Sequence, residues 1–240
     1  MREVERPVVN RREGMTLAFS QAQARSILDA PDSTSLLGVR DRAMLAVSLQ
    51  VGFRRAEIAS LKVGDFHVNR GYDALRVVRK GGKKGSLAIY PQAAQRIKDY
   101  LAMAGHGDDI EGPLFRPVRD NRKGLAARRP LHPDVIDRTL RKYARSIGLE
   151  RGYSAHSMRA TFITTALDNG ASLEDVQLAA GHADPSTTKL YDRRGYNPEK
   201  PASFFCELLS QTETIKIRRT STAAMVLLPM EEGFKRLMFF

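Results

Sequence analysis

Read for its alternation of apolar and polar positions, the chain breaks into mostly helical segments around one β-prone stretch. In "FSQAQARSILDAP", Ser20 stands three residues before Gln23, a capping-box spacing, and Pro31 marks the stop. "GVRDRAMLAVSLQVG" (38–52) sets Val39, Leu45, Val47 and Leu49 near helical spacing and ends on Gly52, and a shorter helix is predicted from Arg55 to Leu61. Between 63 and 90 the pattern changes. "YDALRVVRK" and "SLAIY" are β-prone and separated by "GGKKG", which reads as a hairpin, with "VGDFHV" as a third strand. Helical spacing returns in "PQAAQRIKDYLAMAG", with Pro91 at the start and Gly105 beyond the end. It recurs in "HPDVIDRTLRKYARSIG" (132–148), "SAHSMRATFITTALDNG" (154–170) and "SLEDVQLAAG" (172–181). Asp184-Pro185 is a cap-plus-proline start for one more short helix, expected to carry Tyr191, and "PASFFCELLSQ" reads as another. Residues 105–131 carry no period and are expected to form a long irregular loop, a length that usually marks function or disorder. The expected fold is α+β, mainly α-helical with a small three-stranded antiparallel sheet.

Composition narrows the partners. Lys plus Arg number 39 against 27 Asp plus Glu, a net charge of +12. Such a surplus suits a polyanion, because basic groups displace condensed counterions from phosphate; an ordinary basic protein is the alternative reading. No apolar run approaches the length of a membrane span, and the first fourteen residues lack the apolar core of a signal peptide. The single cysteine, Cys206, leaves no internal disulfide and no cysteine cluster, so a reducing cytoplasm is the expected compartment. Within 116–129 the loop carries Arg116, Arg119, Arg122, Lys123, Arg128 and Arg129 against Asp120 alone, a candidate DNA-facing set.

Each candidate for chemistry is bland by itself. His156 and Arg159 lie three apart near a helix start and are expected to share a face, although such pairs more often mark a solvated one. Arg54 lies at a joint between helices, where it or Arg55 could simply cap carbonyls or pair with Glu57. Lys80, Lys83 and Lys84 crowd a hairpin loop that could be an ordinary solvated turn. His182 follows a helix-ending glycine, and Tyr191 could be a half-buried aromatic.

Their order along the chain is more specific. "GFRRAEIASL", "RVVRKGGKKGSLAIY", "HSMRATFITTAL" and "GHADPSTTKLYDRR" follow one another as the motifs of the tyrosine recombinase (phage integrase) family do, and the chain resembles that family from about 16 to 200. The resemblance implies a site of Arg54, Lys80, His156, Arg159, His182 and Tyr191, with Glu57 and Lys83 in supporting or second-choice roles. Arg54 rather than Arg55 directly follows the "G-φ" pair. In the hairpin, Arg79 stands where the family usually has glycine, and Lys83 is close behind Lys80.

The chemistry so implied is DNA cleavage and rejoining through a 3′-phosphotyrosyl link and a free 5′-hydroxyl, without metal or cofactor. Two guanidiniums can grip the non-bridging oxygens of an anionic phosphorane-like state with paired donors. Tyr191 Oη is the expected nucleophile, His156 its proton acceptor, His182 a phosphate hydrogen-bonding group and Lys80 the general acid for the 5′ oxygen. Arg55 and Lys189 join the basic loop as expected DNA contacts. Site-specific recombination is the first reading; a type IB topoisomerase-like activity and an inactive DNA-binding module are the alternatives.

The family also implies double-stranded DNA as partner, self-association as a tetrameric synapse, no membrane, and a bacterial or phage-encoded protein. Residues 1–14 are expected to be a linker from a missing N-terminal core-binding domain, 15–200 the catalytic domain, and 201–240 a C-terminal helix and tail that could pack on a neighbouring subunit. Without the other half of a DNA clamp, binding by this chain alone is expected to be weak and strongly salt-dependent.

Overall fold

The computed structural model describes residues 16–79, 82, 84–120, 124–125, 128–149, 152–192, 215–218 and 226–229, with backbone alone at 119–120, 124–125 and the last two segments. It divides into one unit up to Arg194 and a second from Gly195 onward. Residues 1–14 and "PASFFCELLSQ" lie outside the described residues.

In the first unit, α1 (Gln21–Asp29) starts on a closed capping box between Ser20 and Gln23. Helix α2 (Leu36–Val51) starts at a Ser35 cap, two residues before the sequence pattern placed it, and is buried along most of its length on all sides. Its period is therefore faint in the sequence, since a central helix has little solvent face to mark with polar residues. Two of its buried residues are charged. Arg40 donates to Asp41 Oδ1 from Nε at 3.0 Å and Nη2 at 2.6 Å, and Tyr143 Oη donates to Asp41 Oδ2 at 3.0 Å. Helix α3 (Arg55–Ser60) and a 3₁₀ turn (Val63–Asp65) lead into the sheet of β1 (Phe66–Asn69), β2 (Tyr72–Val78) and β3 (Lys84–Ala88). It is antiparallel in that order, with Leu75 opposite both Phe66 and Leu87.

Helix α4 (Pro91–Ala104) packs along α2, placing Ile97 and Tyr100 in the core. The stretch expected to be irregular contains a short antiparallel pair, β4 (Val118–Asp120) and β5 (Gly124–Leu125). Strands of three and two residues are too short to show an alternation in sequence. Helices α5 (Pro133–Ser146), α6 (Ala155–Asp168), α7 (Leu173–Ala180) and α8 (Pro185–Lys189) complete this unit. The main core joins α1 to α5 and the sheet with Met158 of α6; a separate small cluster of Ile163, Leu167, Val176 and Ala180 joins α6 to α7. In the second unit, β6 (Ile215–Arg218) pairs antiparallel with β7 (Val226–Pro229). Among the described residues, no helix is long and apolar enough to cross a membrane.

Candidate active site

Helix α7 is the organising element. Ser172 Oγ accepts from the Asp175 amide at its start, and the helix ends at Gly181, whose φ of 65° lies in the left-handed region. The last carbonyls of a helix lack intrahelical donors and carry a partial negative charge. Here three guanidiniums take them. Arg79 donates from Nη1 to Leu178 O and from Nη2 to Ala179 O at 2.7 Å. Arg159 Nη2 donates to Ala180 O at 2.5 Å, and Arg54 Nη2 donates to Gly181 O at 3.1 Å.

Local backbone delivers these side chains from three distant stretches. Arg54 is the N-cap of α3; its amide donates to Glu57 Oε2 at 2.7 Å and its Nη1 to Glu57 Oε1 at 2.9 Å. Glu57 is 7% exposed and is the counter-charge to the cluster, favouring the charged forms of both Arg79 and Arg159. Arg159 lies on the second turn of α6, 6% exposed, and its Nη1 donates to Gly52 O at 2.6 Å. Gly52 closes α2 at a φ of 63°, and an added Cβ would sit 2.3 Å from Phe162 Cδ1. One glycine thus ends α2, presents a carbonyl to Arg159 and admits the ring beside it. Burial, with Arg54 nearby, pulls the Arg159 guanidinium down to about 10, so it remains charged at neutral pH.

The nucleophile candidate arrives from the segment that follows α7. Asp184 caps α8 by accepting from the Ser186 amide at 2.8 Å, with Pro185 at the first helical position. The helix ends at Lys189, so Tyr191 lies just past it in a turn, its amide donating to Thr188 O at 3.0 Å. The Tyr191 ring packs on the α6–α7 cluster and lies 6.4 Å from the His182 ring, the planes 17° apart. His182 Nδ1 is 2.8 Å from the buried Thr188 Oγ1, which leaves Nε2 as the nitrogen available to a phosphate oxygen. Burial first, and then Arg159, Arg54 and Arg79, push the His182 imidazole down to about 4, so it is neutral at pH 7.

Arg54, Glu57, Arg159, His182 and Tyr191 are therefore gathered around the end of one helix. His156 is exposed on the first turn of α6 and Arg159 is buried on the second, one turn apart on the same helix. Lys80, Lys83, Arg122 and Lys123 lie outside the described residues, as does the Arg119 side chain.

The other basic candidates divide. Arg116 is 7% exposed and turns inward, donating to Pro113 O and pairing with Asp109. Arg128 is exposed and forks onto the same carboxylate, with both bonds at 2.6 Å; Arg128 and Arg116 together hold the Asp109 carboxyl well below its usual range. Arg55 is exposed and ion-paired to Asp134 at 2.9 Å, and Arg129 and Lys189 are exposed. Sequence reasoning missed Arg79 and Thr188 as members of the site. The one signal for Arg79 was its position in place of a glycine before Lys80; for Thr188 there was none.

Such an arrangement can hold a phosphodiester. Each guanidinium has five N–H donors, so carbonyl bonds leave donors for phosphate oxygens, next to a neutral imidazole and a phenol. The solved structure of the XerH site-specific recombinase bound to difH has the same fold at a TM-score of 0.61 and 20% identity, over 78% of this chain and 53% of that one. A lambda integrase (75–356) dimer bound to a COC′ core site matches at 0.56 and 16%, over 78% and 63%. The curated "Tyrosine recombinase XerD" of Lacticaseibacillus casei is 34% identical over 72% of this chain and 57% of its own length, so the chain spans just over half of that relative. The profile of the Phage integrase family matches residues 18–197, three-quarters of the chain and every element that brings a side chain to the end of α7, and the chain belongs to that family.

Proposed function

We infer that this chain is the catalytic part of a site-specific DNA recombinase, breaking and rejoining one strand at a time. The observation that supports this most strongly is the convergence of Arg54 and Arg159 on the end of α7, with His182 and Tyr191 stacked beside them. Tyr191 Oη attacks phosphorus, the P–O5′ bond breaks, and the 3′-phosphate becomes esterified to the phenol. The phenolic proton passes to a base, for which His156 is the proposed acceptor, and the departing 5′ oxygen takes a proton from Lys80. Arg54 and Arg159 stabilise the negative charge on the non-bridging oxygens, a contribution that is largest when the donors are fixed and partly dry. His182, held by Thr188 through Nδ1, offers Nε2 to the same phosphate. Reversal with a different 5′-hydroxyl reseals the strand without an external energy source, because the phosphotyrosyl ester conserves the bond.

Double-stranded DNA is the proposed partner. Self-association on it accords with the related lambda integrase, which was solved as a dimer on its core site. Lys80 and Lys83, the basic residues Arg55, Arg119, Arg122, Lys123, Arg128, Arg129 and Lys189, and a bacterial or phage cytoplasm belong to this reading. Arg116 is better read as an interior strut for Asp109.

The test uses a pool of nicked duplexes with randomised arms, so that the 5′ fragment diffuses away after cleavage. Wild type is expected to form a covalent DNA adduct and Tyr191→Phe none. Absence of an adduct with wild type, or its persistence in Tyr191→Phe, would sink the reading. Relaxation of supercoils with no site preference would replace recombination by a topoisomerase activity.

A further inference from the structure

Arg79 is the residue at which the hairpin and the nucleophile-bearing segment meet. It follows β2 directly, its carbonyl accepts from the Gly82 amide at 3.0 Å, and its side chain crosses to α7, a hundred residues away in sequence. Both Nη groups are committed to carbonyls there, one on Leu178 and one on Ala179. Its Nε is buried and has no hydrogen-bond partner among the described residues. The seat is shaped for it. A Cβ on Gly181 would lie 2.8 Å from both Arg79 Cδ and Nη1 and 2.9 Å from Cζ. The glycine of the "GH" pair therefore does more than turn the chain: its bare α-carbon is the surface on which this guanidinium lies.

We propose that Arg79 is a positioning residue, a latch that fixes the β2–β3 hairpin against the end of α7 and so sets where Lys80 can deliver its proton relative to His182 and Tyr191. Lys80 is the next residue in the sequence, one peptide bond from this anchor. Anchoring Arg79 by two charge-assisted bonds at the side chain and one at the backbone confines its neighbour. A free hairpin would leave the acid to search. The planar fork of an arginine suits two adjacent carbonyls, which a lysine cannot match. Burial, with Arg54 nearby, holds the Arg79 guanidinium below its usual value, and Glu57 opposes that shift. The proposal rests on Lys80 being the general acid, and the experiment separates the two ideas.

Cleavage is measured for wild type, Arg79→Ala, Arg79→Lys and Lys80→Ala on an ordinary phosphodiester. It is then repeated on a bridging 5′-phosphorothiolate, whose thiolate leaves without protonation. Arg79→Ala is expected to be about 10- to 100-fold slow on the oxygen substrate, as for a displaced catalytic group, and within a few-fold of wild type on the sulfur substrate, with Arg79→Lys between. Equal slowing on both substrates would make Arg79 a phosphate-gripping residue and overturn the latch. Failure of the sulfur substrate to rescue Lys80→Ala would overturn the role of Lys80 itself, and with it the catalytic half of the proposal. The latch is then decided by native-state hydrogen exchange. Arg79→Ala should speed exchange both in β2–β3 and at the Gly181 and His182 amides; unchanged exchange in the two segments would overturn it.

Discussion

At pH 7 the His182 imidazole is a neutral group among three cations, and adding a phosphate should change that. With its midpoint pushed down to about 4, roughly one His182 in a thousand is protonated at pH 7, against about a quarter for an ordinary histidine. The causes are burial and the fields of Arg159, Arg54 and Arg79. A phosphate monoanion about 4 Å away opposes those fields by about 4 kcal/mol at an effective dielectric constant near 20, nearly 3 units of pKa. DNA binding should therefore carry the midpoint toward neutrality and be accompanied by proton uptake near pH 6. The sign for stability follows from the same shift. A histidine that is harder to protonate when folded contributes fully above about pH 6.5, and its contribution is lost as the pH falls from there to about 4. Because the ring is only partly buried, that loss is discounted to roughly 1–2 kcal/mol. The assay is a histidine NMR titration, with His182→Gln identifying the resonance, followed by calorimetry with a short duplex in buffers of different ionisation enthalpy. A midpoint near 6.5 in the DNA-free chain would refute the reasoning, as would a midpoint unmoved by DNA.

Other consequences reach further into the fold. Gly52→Ala forces a side chain into left-handed backbone and against Phe162; thermal unfolding should show a loss of about 2–4 kcal/mol, and an unchanged midpoint would remove the steric account of this joint. Asp41→Ala strands the buried Arg40 charge and the Tyr143 hydroxyl, with an expected cost of about 3–5 kcal/mol by denaturant unfolding. Arg159→Lys keeps a positive charge but cannot bridge Gly52 O and Ala180 O. Cleavage should fall about 10²- to 10³-fold while DNA affinity in a filter-binding assay changes little, and equal losses in both would point to a binding role alone.

Much of this site was legible in the sequence because its chemistry demands particular residues in order. Arg54, Arg159, His182 and Tyr191 were named from motif order, and the Ser20, Ser172 and Asp184-Pro185 signals marked helix starts that the backbone follows. What no local pattern could show is the shared destination of the arginines, since their carbonyl partners lie 21 to 127 residues away. Arg79 is illegible for the same reason: its partners, Leu178 and Ala179, lie about a hundred residues away. His156 and Arg159 are three apart, yet α6 buries one and exposes the other, because the packed side of a helix is set by its neighbours. Arg116 looks like one more surface cation in a basic loop, but it pairs with Asp109, which the preceding turn brings beside it. The Arg40–Asp41 pair is likewise buried, on a helix that has little solvent face.

The central claim is that Tyr191 carries the DNA. The measurement is mass spectrometry of the tryptic peptides from the covalent adduct after nuclease trimming. The nucleotide mass is expected on the peptide containing Tyr191, through a 3′-phosphate, and in no peptide once Arg159 is replaced by alanine. A nucleotide on any other residue, or one joined through a 5′-phosphate, would contradict the account.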